Sequence, residues 1–251
     1  MFHVIIPARF ASTRLPGKPL LLIEGQPLIQ RVWQQARSSG ARSVLIATDD
    51  ERILAAARSF GAECVMTAAD HASGTDRIAE VARAKGFGAD EIVVNLQGDE
   101  PMMPVDVIQQ VAESLQSTPN ADIATALAPV ESLAEFLDAN CVKALRAQDG
   151  RALYFSRAPV PWPRDSARAD GPTSYAGAWR HIGIYGYRVR SLLQFAVWPP
   201  SALERIEKLE QLRALERGMH IQTVTLKKSP PGGVDTPQDL ERVRAALAGG
   251  A

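Results

Sequence analysis

The sequence has little sulfur to work with. Its two cysteines, Cys64 and Cys141, lie far apart and form no C-x-x-C, which excludes a disulfide framework and argues against structural zinc. The four histidines, His3, His71, His181 and His220, show no metal-ligand spacing. No apolar run approaches the roughly 20 residues of a membrane span. Met1 leads directly into a strand-like run, so no signal peptide is expected either. Nor is there an excess of one charge: 28 Lys and Arg balance 28 Asp and Glu. Nucleic-acid binding through bulk charge is therefore disfavoured, and any anion site must be a local cluster. A cytoplasmic enzyme or binding protein remains. The 251 residues, 46% hydrophobic, suffice for one large domain or a domain with a sizeable insertion.

What is present is an alternation of short apolar runs and helical patterns. Phe2–Ile6, Ser43–Thr48, Glu63–Met66 and Glu91–Leu96 read as strands, and residues 27–39, 50–60 and 75–85 as helices between them. Thr48 and Glu51 have capping-box spacing. Such a βαβαβ order implies an α/β fold with a mostly parallel sheet covered on both faces. A helix opened by Pro104 runs to Ser117, and a strand follows at 123–129. Beyond it the pattern changes. Residues 141–146 and 152–156 flank the turn pair Asp149-Gly150, and 179–187 follows a loop rich in Pro and Arg, so an antiparallel extension is expected at about 139–200. A charged amphipathic helix is expected over 200–217, with Leu203, Ile206, Leu209 and Leu212 facing inward, then a strand at 221–226 and a helix at 236–247.

Five stretches carry candidate chemistry. The first, residues 6–20, follows the first strand and holds Arg9, Arg14 and Lys18 among Pro16, Gly17 and Pro19. A strand that empties into a loop of cations and free N–H groups is a phosphate-binding arrangement, although the spacing is neither Walker A nor G-x-G-x-x-G; the alternative is an exposed basic loop. The second ends the fourth strand: Asn95-Leu96-Gln97-Gly98-Asp99-Glu100-Pro101 puts Asp99 where open α/β sheets place a metal ligand, or else in a plain turn. The third, Gly232-Gly233-Val234-Asp235, offers a second carboxylate or the cap of the last helix. The fourth, residues 70–77, contains Ser73 and Arg77, which either read a base or sugar or serve as a cap and a surface pair. The fifth is scattered: Arg157 and His181 stand beside aromatic strand residues, whereas Glu210 and Gln211 on a charged helix read locally as solvated surface.

Taken together, IPARFASTRLPGKPL (6–20), DHASGTDR (70–77), NLQGDEP (95–101), ALYFSRAPVPW (152–162), RHIGIYGY (180–187), LEQLR (209–213) and GVDTPQDLERV (233–243) resemble the 3-deoxy-manno-octulosonate cytidylyltransferase (CMP-Kdo synthetase) family. Related nucleotidyltransferases carry versions of the first piece, but the ordered set is specific. The resemblance implies a Rossmann-like sheet of the nucleotide-diphospho-sugar transferase type in a single domain, 1–251, whose extension serves sugar binding and dimerisation. It implies transfer of CMP from CTP to Kdo for lipopolysaccharide biosynthesis, with release of pyrophosphate, Mg²⁺ as cofactor, and a homodimer without nucleic-acid or membrane partners. By the same resemblance Ala8, Arg9, Lys18, Ser73, Arg77 and Asp99 bind the nucleotide, and Asp99 and Asp235 hold the metal, with Lys18 as a further catalytic residue. Arg14, Gln97, Arg157, His181, Tyr185, Glu210 and Gln211 surround the sugar. A sialic-acid or amino-Kdo cytidylyltransferase, a glycosyltransferase and a nucleotide sensor are the competing readings. The second generally shows D-x-D, where this chain has Asp99-Glu100-Pro101.

Overall fold

Strand β1 (Phe2–Ala8) is buried along its whole length, as a strand covered on both faces must be. In the computed structural model, which describes residues 1–11, 15–168 and 171–249, it is followed by β2 (Leu22–Ile23), β3 (Gln26–Pro27), β4 (Ser43–Thr48), β5 (Glu63–Met66), β6 (Ile92–Asn95) and β7 (Ile123–Pro129). Then come β8 (Lys143–Arg146), β9 (Ala152–Ser156), β10 (Ala167–Arg168), β11 (Gly171–Pro172), β12 (Trp179–Arg188) and β13 (Ile221–Thr225). The helices are α1 (Leu28–Ser38), α2 (Glu51–Ser59), α3 (Gly74–Ala84), α4 (Val105–Ser117) and α5 (Leu133–Leu137). They continue with α6 (Val189–Ala196), α7 (Ala202–Glu207), α8 (Gln211–Glu216) and α9 (Pro237–Ala248). Among these, no helix is long and apolar enough to cross a membrane.

The main sheet runs β13-β7-β12-β6-β1-β4-β5. Every neighbour pair along it is parallel except those made by β12, which is antiparallel to both β6 and β7. Alternate residues of β1 feed two cores. Val4 and Ile6 pack with Ile29 and Val32 of α1 and Ile108 and Val111 of α4, while Ile5 packs with Ile78 and Val81 of α3 and Leu192 of α6. Each fully buried aliphatic side chain contributes about 1.5–3 kcal/mol, so the two apolar layers hold the sheet between them. The chain leaves β1 for β4 and β5 on one side and returns to β6 on the other. The crevice at the carboxyl ends of β1 and β6 is thus a topological switch point, where such sheets bind ligands.

Three expectations need correction. The segment 179–187 is no appendage: β12 lies inside the main sheet, and the β8–β9 hairpin hangs from its first residues. The helix expected over 200–217 is two helices, broken at Lys208, whose φ is 54°. Tertiary bonds cause the break. Glu207 accepts from Ser156 Oγ (2.8 Å) and Arg157 N (2.9 Å), and its carbonyl takes Arg157 Nε at 2.6 Å, so the hairpin claims the turn that would have continued the helix. Ile206, expected to face inward, is 77% exposed as a result, while Leu209 and Leu212 are buried. Finally, α2 is capped by Asp50, which accepts from Arg52 N, rather than by a Thr48–Glu51 box; Thr48 is buried at the end of β4.

Candidate active site

At the end of β1 the chain emerges at Ala8 and Arg9. Gly17, at φ 67°, turns it back beneath Phe10, and a short 3-10 turn, Lys18–Leu20, sends the Lys18 side chain into the crevice. Opposite, the loop after β6 passes so close to β1 that a Cβ on Gly98 would stand 2.7 Å from the Pro7 carbonyl oxygen. Gly233 is equally constrained, because its Cβ would fall 2.8 Å from the Asp99 carbonyl oxygen. The Val234 N–H closes that approach by donating to Asp99 O at 2.8 Å, which ties the two acid-bearing loops together.

The result is one cation between two carboxylates. Lys18 Nζ donates to Asp99 Oδ2 at 2.6 Å and to Asp235 Oδ1 at 3.1 Å. Burial alone would lower the lysine pKa, but the two carboxylates outweigh it and raise it, so the ammonium stays charged. Asp235 is not the cap of α9. Thr236 is, in a capping box with Asp239, which leaves the Asp235 carboxylate to the crevice. These groups, with Ala8, Arg9 and Gln97, line a pocket of about 380 Å³. Arg9 Nη2 donates to the His71 carbonyl at 2.6 Å. Glu100 is a site residue that motif reading passed over. Burial, with the nearby charges of Asp99 and Asp235, pushes its carboxyl up to about 8. A hydrophobic-to-polar pattern could not show that; only the folded proximity of three acids does.

Both ligands proposed for the metal are hard anionic oxygens that already converge on one cation, so the donor set fits Mg²⁺. Among the described residues no group of three or more His, Cys, Asp or Glu forms a metal cage. An ion held here by Asp99 and Asp235 would take the rest of its shell from phosphate and water, as Mg²⁺ does at nucleotide sites.

His181, Tyr185, Glu210 and Gln211, expected around the sugar, form a second cluster. Thr75 Oγ1 donates to Glu210 Oε2 at 2.6 Å, with Arg213 3.5 Å from the other oxygen, and burial raises the Glu210 pKa despite these partners. Glu210 is half-buried and Gln211 buried, which overturns the surface reading of both. Glu210 Oε1 and Gln211 Nε2 are buried without hydrogen bonds. His181 sits between the Phe155 and Tyr185 rings, with Nε2 2.9 Å from Thr125 Oγ1. That hydroxyl donates to Ile184 O at 2.8 Å, so it accepts from a protonated Nε2, which fixes the neutral tautomer. Burial, aided by Arg180, pushes His181 down to about 3, and burial raises Tyr185 well above its usual range. The imidazole should therefore stay neutral until pH approaches 3, as NMR of its ring nitrogens would record. Because the unfolded ring titrates near 6.5, this site removes stability as pH falls from 6.5 towards 3. Ring protonation near 6.5 would refute the packing described.

Three other expectations meet the structure differently. Arg157 donates to the carbonyls of Glu207 (2.6 Å), Ala139 (2.9 Å) and Lys208 (3.5 Å), so it braces the hairpin against the α7–α8 turn. Ser73 is the cap of α3, its hydroxyl accepting from Asp76 N. Arg77 does not face the pocket: it is fully buried, bound to Asp49 Oδ2 at 2.7 Å and to Thr67 Oγ1, and has no path to a base. Arg14 lies outside the described residues.

Comparison with known proteins agrees with this geometry. A family model described as Cytidylyltransferase matches residues 3–221. A 3-deoxy-manno-octulosonate cytidylyltransferase of Cellvibrio japonicus (strain Ueda107) is 53% identical over 250 residues, covering 98% of each chain. Its counterpart in Pseudomonas syringae pv. syringae (strain B728a) is 52% identical over 250 residues, 99% of this chain and 98% of the relative. A solved CMP:2-keto-3-deoxy-manno-octonic acid synthetase complexed with CTP superposes with a TM-score of 0.90 at 40% identity, covering all of both chains. A cytidylyltransferase structure from Leptospira borgpetersenii shares the fold alone, at a TM-score of 0.64 and 15% identity over all of this chain and 87% of that one. By sequence over its whole length and by fold, the chain belongs to the 3-deoxy-manno-octulosonate cytidylyltransferase family.

Proposed function

We propose that this nucleotidyltransferase, which moves CMP from CTP to Kdo, works by in-line attack of the sugar's anomeric hydroxyl on the α-phosphate, with Mg²⁺ as its cofactor. The observation that carries the reading is the Lys18 ammonium clasped by Asp99 and Asp235 beside Arg9, at the switch point of the sheet. Two substrates that are both anions must meet there. Arg9 and Lys18, with the N–H groups of the first loop, take the triphosphate charge. Arginine grips two oxygens and lysine acts as a point charge. Lys18 then exchanges a carboxylate oxygen for a phosphate oxygen, and Asp99 and Asp235 are left to hold the cation. Bound there, Mg²⁺ screens phosphate charge and makes the attacking hydroxyl more acidic. No side chain of the pocket is assigned as general base.

The sugar carboxylate adds a further demand. Two charges about 5 Å apart repel by roughly 3 kcal/mol at an effective dielectric near 20, and one charge-assisted bond returns about 1.5–3 kcal/mol. Arg157, whose guanidinium hydrogen-bonds carbonyls rather than a carboxylate, is assigned that role, with Arg14 as the second candidate. Gln97 joins the two halves, since it lines the nucleotide pocket and its amide lies 3.4 Å from Asn95, the strand partner of Tyr185. Glu210 Oε1, which has the Arg213 charge beside it but makes no hydrogen bond, and Gln211 Nε2, which makes none either, suit sugar hydroxyls. Cytosine recognition falls to the backbone of the first loop, since Ser73 and Arg77 are otherwise engaged. We also assign the enzyme to the cytoplasm, because it uses CTP, and to a homodimer. Exposed Leu153 on β9 and exposed Trp162 support the dimer, which sedimentation decides.

Pyrophosphate release measured across CTP, UTP, Kdo, an amino-Kdo, sialic acid and a neutral sugar phosphate tests the whole reading. CTP with Kdo should give the highest kcat/KM. Turnover of UTP with the neutral sugar phosphate, and none of CTP with Kdo, would overturn it.

A further inference from the structure

We propose that Glu80 is a positioning residue for the triphosphate grip: through His71 it fixes where the Arg9 guanidinium stands, an inference that rests on the role of Arg9 given above. Among the described residues, Arg9 Nη2 has one acceptor, the His71 carbonyl oxygen, at 2.6 Å. That carbonyl belongs to the irregular segment between β5 and α3, which has no ladder or helix to keep it in place.

The segment is pinned instead at three points. At its start, Thr67 donates to Thr48 O from both N (2.9 Å) and Oγ1 (3.1 Å). At its end, Ser73 is locked in the α3 cap. Between them, a single oxygen, Glu80 Oε2, accepts from Ala68 N at 3.1 Å and bonds His71 Nε2. Of the three, only the Glu80 anchor grips the residue whose carbonyl Arg9 uses. Its mount is rigid, because the neighbouring Ile78, Ala79 and Val81 of α3 are buried in the core. Burial works against a charge on Glu80, but the His71 ring and the Ala68 N–H outweigh it and hold the carboxyl below its ordinary range. The anchor thus stays an anion, the stronger form of acceptor.

A two-oxygen grip on phosphate depends on the direction of the guanidinium plane, so a displacement of about 1 Å at Arg9 weakens binding of CTP. Glu80→Ala should raise the KM for CTP about tenfold while kcat and the KM for the sugar stay within about twofold. Glu80→Gln retains an oxygen that accepts from Ala68 N and His71, and should recover most of the loss. The decisive measurement is a double-mutant cycle with Arg9→Ala. Arg9→Ala alone should raise the KM for CTP, and in its background Glu80→Ala should add nothing, since no guanidinium remains to be placed. Multiplying effects would mean that Glu80 acts on the fold at large, and would overturn the proposal. So would an unchanged KM for CTP in Glu80→Ala when Arg9→Ala raises it. If Arg9→Ala itself leaves that KM unchanged, the role given to Arg9 falls, and this inference with it.

Discussion

Asp99→Asn and Asp235→Asn should each lower turnover by about a hundredfold or more, roughly 2.7 kcal/mol of barrier. Each replacement puts a neutral amide where one of the two oxygens bound to Lys18 now stands, at 2.6 and 3.1 Å. Half of the carboxylate charge that would hold a cation is then gone, and the amide N–H₂ points a donor at it. The fold should not suffer. The cap of α9 is made by Thr236 and Asp239, and the Val234–Asp99 bond runs through backbone. Loss of a charge beside Glu100 should even relieve it, because that carboxyl is pushed up to about 8 by burial and by Asp99 and Asp235. Pyrophosphate release and thermal melting on the same samples separate chemistry from folding. Wild-type rates in both variants would refute the metal assignment.

The second large effect is on stability. Arg77→Ala should cost about 3–5 kcal/mol, the range for breaking a buried ion pair from one side. For a protein of this size that is a fall in Tm of roughly 6–20 °C. Arg77 heads the largest fully buried side chains, and it is the partner of Asp49 Oδ2 at 2.7 Å and of the Thr67 hydroxyl. Truncation leaves a cavity and an orphaned carboxylate, since the Asp49 side chain is only 17% exposed. Removing the charge at both ends, in Arg77→Met with Asp49→Asn, should restore much of the loss. A drop in Tm of only a degree or two for Arg77→Ala would show that the pair is not the brace described.

What could be read in the chain follows from the range of the forces involved. Strands β4, β5 and β7 and helices α1 to α4 lie within two residues of their expected positions, because apolar period, proline and capping act locally. β12 also lies at its expected residues, but its place in the sheet was not legible, since a run of period 2 carries no record of which strands will flank it. A helix whose own pattern was continuous broke at Lys208, through bonds that Glu207 accepts from Ser156 and Arg157 some fifty positions away. The site divides in the same way. Lys18 and Asp99 stood out as charges after strands and Asp235 as an acid in a glycine-rich turn before a helix, whereas the burial of Arg77 and of Gln211 depends on what packs against them. Glu80 and Glu100 gave no signal. Glu80 matters through the loop residues Ala68 and His71 that fold back onto it. Glu100, though next to Asp99, is set first by burial and then also by Asp235, which only the fold brings near.

The insertion of β12 between β6 and β7 sets an order of assembly. The half-sheet β5-β4-β1-β6 is built from the first hundred residues and has short links, so it can form early. Its β6 edge stays unpaired unless the strand at 179–188 is present to cover it. Lys18 meets Asp99 across 81 positions but Asp235 only across 217. Long-range closures of this kind are slow, and the edge they leave exposed invites mispairing. The crevice therefore completes only when nearly the whole chain is in place, and a chain cut short of residue 235 has Lys18 without one of its two carboxylates.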